Sequence, residues 1–101
     1  MRFVTKSRAY KKDFQRESAG RHRAVLITDL PITITMLAAD QPLPDKCCDH
    51  MLTGDWAGYG ECHVRPNLLL VYMKIGDITN VEELSGELHL ARLGSHSELF
   101  G

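Results

Sequence analysis

Residues 61–75 read ECHVRPNLLLVYMKI, and this stretch decides the fold. Its first five residues alternate between polar and apolar side chains, and residues 68–75 form an apolar run rich in residues that favour β-strands. Pro66 and Asn67 lie between the two segments and are typical of a tight turn. We therefore predict two antiparallel strands, over Glu61–Arg65 and Leu68–Ile75, joined by this turn.

The flanking segments extend this pattern on both sides. Leu88–Leu93 predicts a further strand, and the segment Gly76–Glu87 that precedes it is long for a hairpin loop. Gln41–Gly60 is rich in proline, glycine and aspartate, and it predicts turns with one short strand. The second half of the chain is therefore expected to supply the sheet.

The first predicted helix lies near the N-terminus. Ser7 can cap a helix over Arg8–Ala19, in which Tyr10 and Phe14 share one face and lysines and arginines fill the others. Gly20 offers a stop after this segment. The helix is expected to be basic and amphipathic.

A second helix is predicted over residues 30–40, where two patterns compete. Ile32, Ile34 and Met36 alternate as in a strand, whereas another apolar set recurs at helical spacing, namely Leu30, Ile34, Leu37 and Ala38. Asp29 as N-cap would place Pro31 in the first helical turn, where its missing N–H costs little. We therefore favour the helix.

Length and composition limit the class of protein. A chain of 101 residues can bury one hydrophobic core, so residues 1–101 are expected to form a single domain. The 44% hydrophobic and 25% charged residues are typical of a folded globular protein. The longest apolar candidate, Ala24–Ala39, contains Asp29 and Pro31 and is followed by Asp40. It falls short of the roughly 20 residues that span a bilayer, so no membrane association is expected. The N-terminus lacks a signal-peptide core and the three cysteines lack a disulfide pattern, so we expect a cytoplasmic protein with reduced thiols.

Charge is distributed unevenly along the chain. Residues 1–24 contain eight of the twelve lysines and arginines but only two acidic residues, a net charge of +6, whereas the remainder carries −7. Such a basic segment either binds a polyanion or an acidic partner or is simply a solvated helix face. Charge alone does not decide between these interpretations.

Three of the five histidines, His50, His63 and His96, lie in predicted loops or at the edges of predicted strands. Imidazole is the side chain best suited to exchange protons near neutral pH. Cleavage of RNA by its own 2′-hydroxyl requires a base for that hydroxyl, an acid for the leaving 5′-oxygen and positive groups around the phosphorane. Two or three histidines and an arginine can supply all of these. Taken singly, each histidine is more simply explained as a surface or core residue.

A second group of residues contains the ligand types that zinc prefers, namely Cys47, Cys48, His50, Cys62 and His63. Neither a Cys-x-x-Cys nor a His-x-x-x-His pair is present, and adjacent side chains point apart in an extended chain. We therefore expect neither a metal nor another cofactor.

Several motifs follow one another in the second half of the chain. They are Pro42-Leu43-Pro44, then Asp49-His50, then Leu52-x-Gly54-x-Trp56-x-Gly58-Tyr59, then Cys62-His63-Val64-x-Pro66, and finally the segment from Arg92 to Phe100. In this order they resemble the YafQ family within the RelE/ParE superfamily of toxins. The resemblance is close over residues 41–75 and 88–101, whereas the first forty residues match only as two helices of basic character.

The resemblance implies a RelE-like α+β fold with two N-terminal helices packed on a small antiparallel sheet. It further implies the toxin of a bacterial type II toxin-antitoxin system, a ribosome-dependent and metal-independent endoribonuclease that cuts mRNA and is held inactive by a cognate antitoxin in a hetero-oligomer. By position, His50, His63 and His96 match family histidines that act on the scissile phosphate, and Phe100 matches an aromatic residue that helps to hold the mRNA base. We expect His96 to be the general acid and the other two histidines to share the base and phosphate-binding roles.

The chain departs from the family pattern at two positions. Asn67 occupies a catalytic position where the family has an aspartate, and an amide cannot act as a general base near neutral pH. Gly60 stands where members commonly carry an arginine, whose place in substrate binding Arg65 and Arg92 can take. A second interpretation therefore stays open, a toxin-like module that binds antitoxin or ribosome without cleavage. A ParE-like gyrase inhibitor, which needs no histidine cluster, is a third.

Overall fold

The structure, a computed structural model that describes residues 1–101, is built around one five-stranded sheet. The strands are β1 (Phe3–Lys6), β2 (His50–Met51), β3 (Gly60–Arg65), β4 (Leu68–Ile75) and β5 (Glu87–Gly94). Their order across the sheet is β1-β5-β4-β3-β2. Strands β2 to β5 pair antiparallel, whereas β1 pairs in parallel with β5, so the sheet is mixed.

Four helices accompany the sheet. They are α1 (Arg8–Ser18), α2 (Arg23–Ile27), α3 (Asp29–Ala38) and α4 (His96–Phe100). Two single 3₁₀ turns, Asp45–Cys47 and Gly54–Trp56, flank β2. None of the helices is long and apolar enough to cross a membrane.

The predicted helices over residues 8–19 and 30–40 and the three predicted strands are confirmed, with ends that differ by one or two residues. The fold is α+β, but the expectation of an antiparallel sheet was wrong because β1 had not been predicted and runs parallel to its neighbour. The short helices α2 and α4 had not been predicted either. Three helices rather than two therefore precede the strands that follow residue 40.

Apolar residues lie on both faces of the sheet, and each face has its own cover. One face packs against α1, α2 and α3 and forms the larger core, whose largest fully buried side chains are Leu30, Leu37, Leu68, Leu70, Leu88, Leu90 and Leu93. The opposite face forms a smaller cluster in which Leu69, Val71 and Ala91 meet Leu99 of α4. The alternation of side chains along each strand makes this division, because neighbouring residues point to opposite faces. We call the face covered by α4 the α4 face.

Candidate active site on the α4 face

Two of the candidate histidines lie on the α4 face of neighbouring strands. His50 of β2 is paired with Glu61 of β3, and His63 follows Glu61 by two residues, so all three side chains share one face. Cys62 and Val64, which alternate with them, point into the larger core instead. The local sequence order therefore separates the polar side chains from the apolar ones.

His50 is held at both nitrogens of its ring. Its Nδ1 lies 2.6 Å from the carbonyl oxygen of Cys48, which can only accept a hydrogen bond, so Nδ1 donates. Its Nε2 lies 3.3 Å from Oε2 of Glu61, a carboxylate whose side chain is only 7% exposed. Both ring nitrogens therefore face acceptors, and these two contacts fix the orientation of the His50 ring on the α4 face.

His63 differs from His50 because its ring has no hydrogen-bond partner in the protein and is half-buried. A β-bulge follows it, since His63 pairs with Leu69 while Arg65 pairs with the adjacent Leu68. Leu69 in turn pairs with Gly94 of β5, so His63, Leu69 and Gly94 form one row across three strands. Two strand spacings separate the ends of this row by about 10 Å.

Helix α4 begins two residues beyond the end of that row and carries His96 and Phe100. Ser95 caps it with a capping box, in which the Ser95 hydroxyl accepts from the Glu98 amide and the Glu98 carboxylate accepts from the Ser95 amide. The Ser95 amide, together with the charge of Arg16, holds the pKa of Glu98 below its usual range. The His96 ring is exposed and lies 5.2 Å from the Phe100 ring, measured between centroids.

Aromatic side chains continue from α4 across the α4 face. The centroid of Phe100 lies 5.7 Å from that of Trp56, and Trp56 lies 5.1 Å from Tyr59, both in edge-on geometry. All three pack against the cluster that contains Leu69 and are only partly buried. The exposed parts of these rings offer a surface on which nucleobases can stack.

The two candidate substrate-binding arginines are already engaged in ion pairs. Arg65 contacts Asp29 of α3 at 2.8 Å, on the helix side of the sheet. Arg92 contacts Asp13 of α1 at 2.7 Å, and the amide of Leu93 donates to the same carboxylate. Burial alone would raise the pKa of Asp13, but the hydrogen bonds and the positive charges around it prevail and lower it.

Asn67 lies in a cleft beside the start of α4. It occupies the β3–β4 turn and lines a cleft together with Arg21 and His22, which follow α1, and with Ser95 and Glu98 of α4. Its side chain has no hydrogen-bond partner in the protein. The structure therefore brings His50 and His63 together on the α4 face and places His96 two residues beyond the end of the His63 row. Asn67 lines the cleft at the start of α4.

The candidate zinc ligands do not come together. Cys47 and Cys62 are buried in the larger core, where burial raises the pKa of both thiols, while His63 lies on the other face of the sheet. Nowhere in the chain do three or more His, Cys, Asp or Glu side chains meet in a way that could hold a metal ion.

Glu61 is the residue of this site that the sequence analysis missed. The signal was present, because Glu61 and His63 stand two positions apart in a segment that was predicted to be a strand, and such residues share a face. The partner strand that brings His50 to Glu61 has only two residues, which gave no pattern of its own.

Comparisons with known proteins agree with this fold. The family model described as bacterial toxin of type II toxin-antitoxin system, YafQ, matches residues 2–101. The putative toxin YafQ of Haemophilus influenzae is 36% identical over 94 residues, which cover 89% of this chain and 87% of that protein. The mRNA interferase toxin YafQ of Escherichia coli K12 is 37% identical over 60 residues, 59% of this chain and 55% of that protein. A chain of the solved E. coli DinJ-YafQ toxin-antitoxin complex superposes with a TM-score of 0.75 at 31% identity and covers 99% of this chain and 98% of that one.

Proposed function

This chain belongs to the YafQ family of bacterial type II toxins, and from that premise we propose that it is a ribosome-dependent, metal-independent endoribonuclease that cuts mRNA. The observation that carries the proposal is the shared surface of His50, His63 and His96 on the α4 face. The name of the E. coli relative, an mRNA interferase, supports the same reaction.

Each histidine receives a role from its surroundings. His63 takes the proton from the 2′-hydroxyl, since its ring has no other partner, and the 2′-oxygen then attacks the phosphorus. His96 gives a proton to the 5′-oxygen as its bond to phosphorus breaks, which leaves a 2′,3′-cyclic phosphate and a 5′-hydroxyl. His50, oriented by Glu61, binds the phosphate oxygens and stabilises the phosphorane.

Neighbouring residues position the RNA. We propose that the phosphodiester lies between His63 and α4, where Phe100 and Trp56 can stack on its bases. Arg65 and Arg92 already hold Asp29 and Asp13, so we propose that they orient the elements around the site rather than bind RNA.

The solved complex of the E. coli relative with DinJ supports an antitoxin partner for this chain as well. We propose that the two form a hetero-oligomer in which the toxin is inactive, and that the free toxin acts on mRNA bound to the ribosome.

The test is mRNA cleavage in a reconstituted translation reaction with EDTA-treated protein. Loss of the general acid in His96→Ala is expected to lower the cleavage rate by roughly 10²-fold or more. His89→Ala is the matched control, because His89 lies in β5 against Thr5, away from the proposed site. Equal cleavage by the parent and His96→Ala would overturn the assignment of the acid, and no cleavage by the parent would overturn the activity.

Asn67 favours a second candidate, a toxin that binds its partners without cleaving RNA. An amide cannot take a proton near neutral pH, and nothing in the protein hydrogen-bonds to it. If this candidate is right, the parent does not cleave mRNA and Asn67→Asp does. If neither protein cleaves mRNA, Asn67 is not the cause of the lost activity.

A further inference from the structure

We propose that the cleft between the end of α1, the β3–β4 turn and the start of α4 is a subsite for one nucleotide of the RNA and selects bases that carry an amino group. The cleft has a volume of about 280 Å³ and is lined by Glu17, Gly20, Arg21, His22, Asn67, Ser95 and Glu98. None of its lining residues is hydrophobic, and it borders His96, which follows Ser95. The inference rests on the proposed function, since it deepens the nuclease site that His96 belongs to.

Glu17 is the observation that points to a ligand. The residue is only 8% exposed, yet its carboxylate forms no hydrogen bond and no ion pair within the protein. Every side-chain oxygen or nitrogen that is fully enclosed in the protein has a hydrogen-bond partner. The Glu17 carboxylate has none, so its oxygens are not fully enclosed and open to the cleft that the residue lines. A buried carboxylate is normally paired, and an unpaired one that opens into a cleft is suited to a ligand that donates hydrogen bonds.

The rest of the lining identifies the ligand as a nucleotide. Arg21 has no ion-pair partner and supplies positive charge for a phosphate, His22 offers its ring nitrogens for hydrogen bonds, and Asn67 offers both a donor and an acceptor. Glu98 is already held by Arg16 and by the Ser95 amide, so Glu17 is the free acceptor. The volume lies just below the roughly 300 Å³ at which pockets for drug-sized ligands begin, which suits a single nucleotide.

The carboxylate sets the base preference. Adenine, cytosine and guanine each present an exocyclic amino group that can donate to Glu17, as cytosine N4 does to Glu and Asp in nucleic-acid recognition. Uracil has two carbonyl oxygens on either side of its single N–H, and these oxygens repel a carboxylate. A lysine or arginine of a protein partner would have to approach past the positive charge of Arg21, so the lining favours RNA over such a partner.

The test separates binding from cleavage. Trinucleotides of 2′-O-methyl A, C or U, which have no free 2′-hydroxyl and cannot be cut, are titrated into the ¹⁵N-labelled full chain. We expect shifts of the amides of residues 17, 20–22, 67 and 95, and affinity for the A and C trinucleotides at least about fivefold above that for U. Glu17→Gln, which keeps the shape and can donate to a carbonyl, is expected to abolish this difference. Arg21→Gln is expected to weaken all three trinucleotides alike.

The matched control is Glu82→Gln in the β4–β5 loop, at the opposite ends of the strands that flank the cleft, and it should keep the preference of the parent. Thermal unfolding confirms that each variant is folded. Shifts confined to the α4 face, or a preference that Glu17→Gln retains, would overturn the subsite. Stronger binding of an arginine-rich peptide than of RNA at these amides would overturn it in favour of a protein partner. If the parent protein binds the trinucleotides with this preference but never cleaves mRNA, the result supports the subsite and overturns the proposed nuclease activity.

Discussion

Gly60 illustrates how a single residue departs from the family pattern for a structural reason. It pairs with Tyr72 across β3 and β4, and a Cβ built on Gly60 would lie 2.5 Å from Cζ of that ring. The Tyr72 hydroxyl donates to Asp49, and burial, with this carboxylate close by, raises the pKa of the phenol. The tyrosine ring thus occupies the space that a side chain at position 60 would need.

We therefore predict that Gly60→Ala lowers the free energy of unfolding by about 1–3 kcal/mol, the usual cost of overpacking. Gly20→Ala is the control, since its Cβ would come no closer than 3.8 Å to another atom. Urea unfolding measures both. In a Tyr72→Leu background the cost of Gly60→Ala should shrink, and equal stability of the two alanine variants would refute the explanation.

At the scale of elements, α4 matters most because it carries His96 and Phe100. A helix of five residues is not stable by itself, so its contacts must hold it in place. Leu99 anchors it in the cluster on the α4 face, the capping box closes its first turn, and Arg16 of α1 contacts Glu98 at 3.1 Å. The orientation of His96 therefore depends on residues that take no part in the proposed proton transfers.

Ser95→Ala is expected to remove the cap at a cost of about 1 kcal/mol to α4. Faster hydrogen exchange of the amides of residues 98–101 reports this loosening directly. Because His96 then spends less time in place, kcat should fall more than KM rises. Ser18→Ala, which removes a hydroxyl that bonds the Phe14 carbonyl near the end of α1, is the control. Unchanged exchange in Ser95→Ala would show that Leu99 and Arg16 hold the helix without the cap.

The elements that the sequence predicted are those with a strong local pattern. The apolar run of β4, the Ser7 cap of α1 and the apolar face of α3 were readable because the local pattern and the burial agree there. The predicted Asp29 cap of α3 was wrong, since Thr28 occupies the N-cap and Asp29 is the first helical residue. On α1, Phe14 is exposed, whereas Asp13 and Glu17 share the buried face with Tyr10. β1 was not readable, since Phe3 and Val4 are exposed and its partner β5 lies more than eighty residues away. α4 is too short for periodicity, although Ser95 and Glu98 stand at the spacing of a capping box and gave a usable signal.

The residues of the candidate site were likewise predictable from the sequence only in part. The histidines could be singled out because their chemistry is scarce, and the resemblance gave their order. The ion pairs of Arg65 and Arg92 could not be predicted, because Asp29 and Asp13 reach them only through tertiary packing. Glu17 likewise looked like one more polar residue on α1 until the structure showed it buried without a partner.

At the scale of the whole molecule, one ionic cluster joins the N-terminus, the end of α3 and the end of β4. Arg2 is buried and donates to Asp40 at 2.9 Å and to the carbonyl of Gly76 at 2.5 Å, and Lys74 contacts the same aspartate at 2.9 Å. The hydrogen bond from Arg2, aided by Lys74, lowers the pKa of Asp40 to about 2.

This pKa sets a pH dependence of stability. An unfolded aspartate has a pKa of about 3.9, so the contribution of Asp40 is complete above about pH 4 and is lost as the pH falls towards 2. Asp40→Asn should therefore be less stable than the parent at pH 7, and the two should converge towards pH 2. Asparagine tolerates the positive φ of this position, so the backbone is retained. Urea unfolding at a series of pH values tests this, with Asp45→Asn as a control that has no ion-pair partner. A constant difference between parent and Asp40→Asn down to pH 2 would contradict the prediction.

Part of the positive charge of residues 1–24 is exposed to solvent on α1. Lys11 and Lys12 are exposed and have no ion-pair partner, whereas Lys74 is neutralised by Asp40.

Each phosphate contact made by a free cation releases counterions, so losing one contact flattens the slope of log affinity against log salt by about 0.7–0.9. The double variant Lys11→Gln/Lys12→Gln should therefore bind ribosomes programmed with mRNA more weakly and with a flatter salt dependence, and Lys74→Gln should keep the slope of the parent. If instead the double variant binds as the parent does, the basic face of α1 is merely solvated, and the affinity for RNA must come from the α4 face itself.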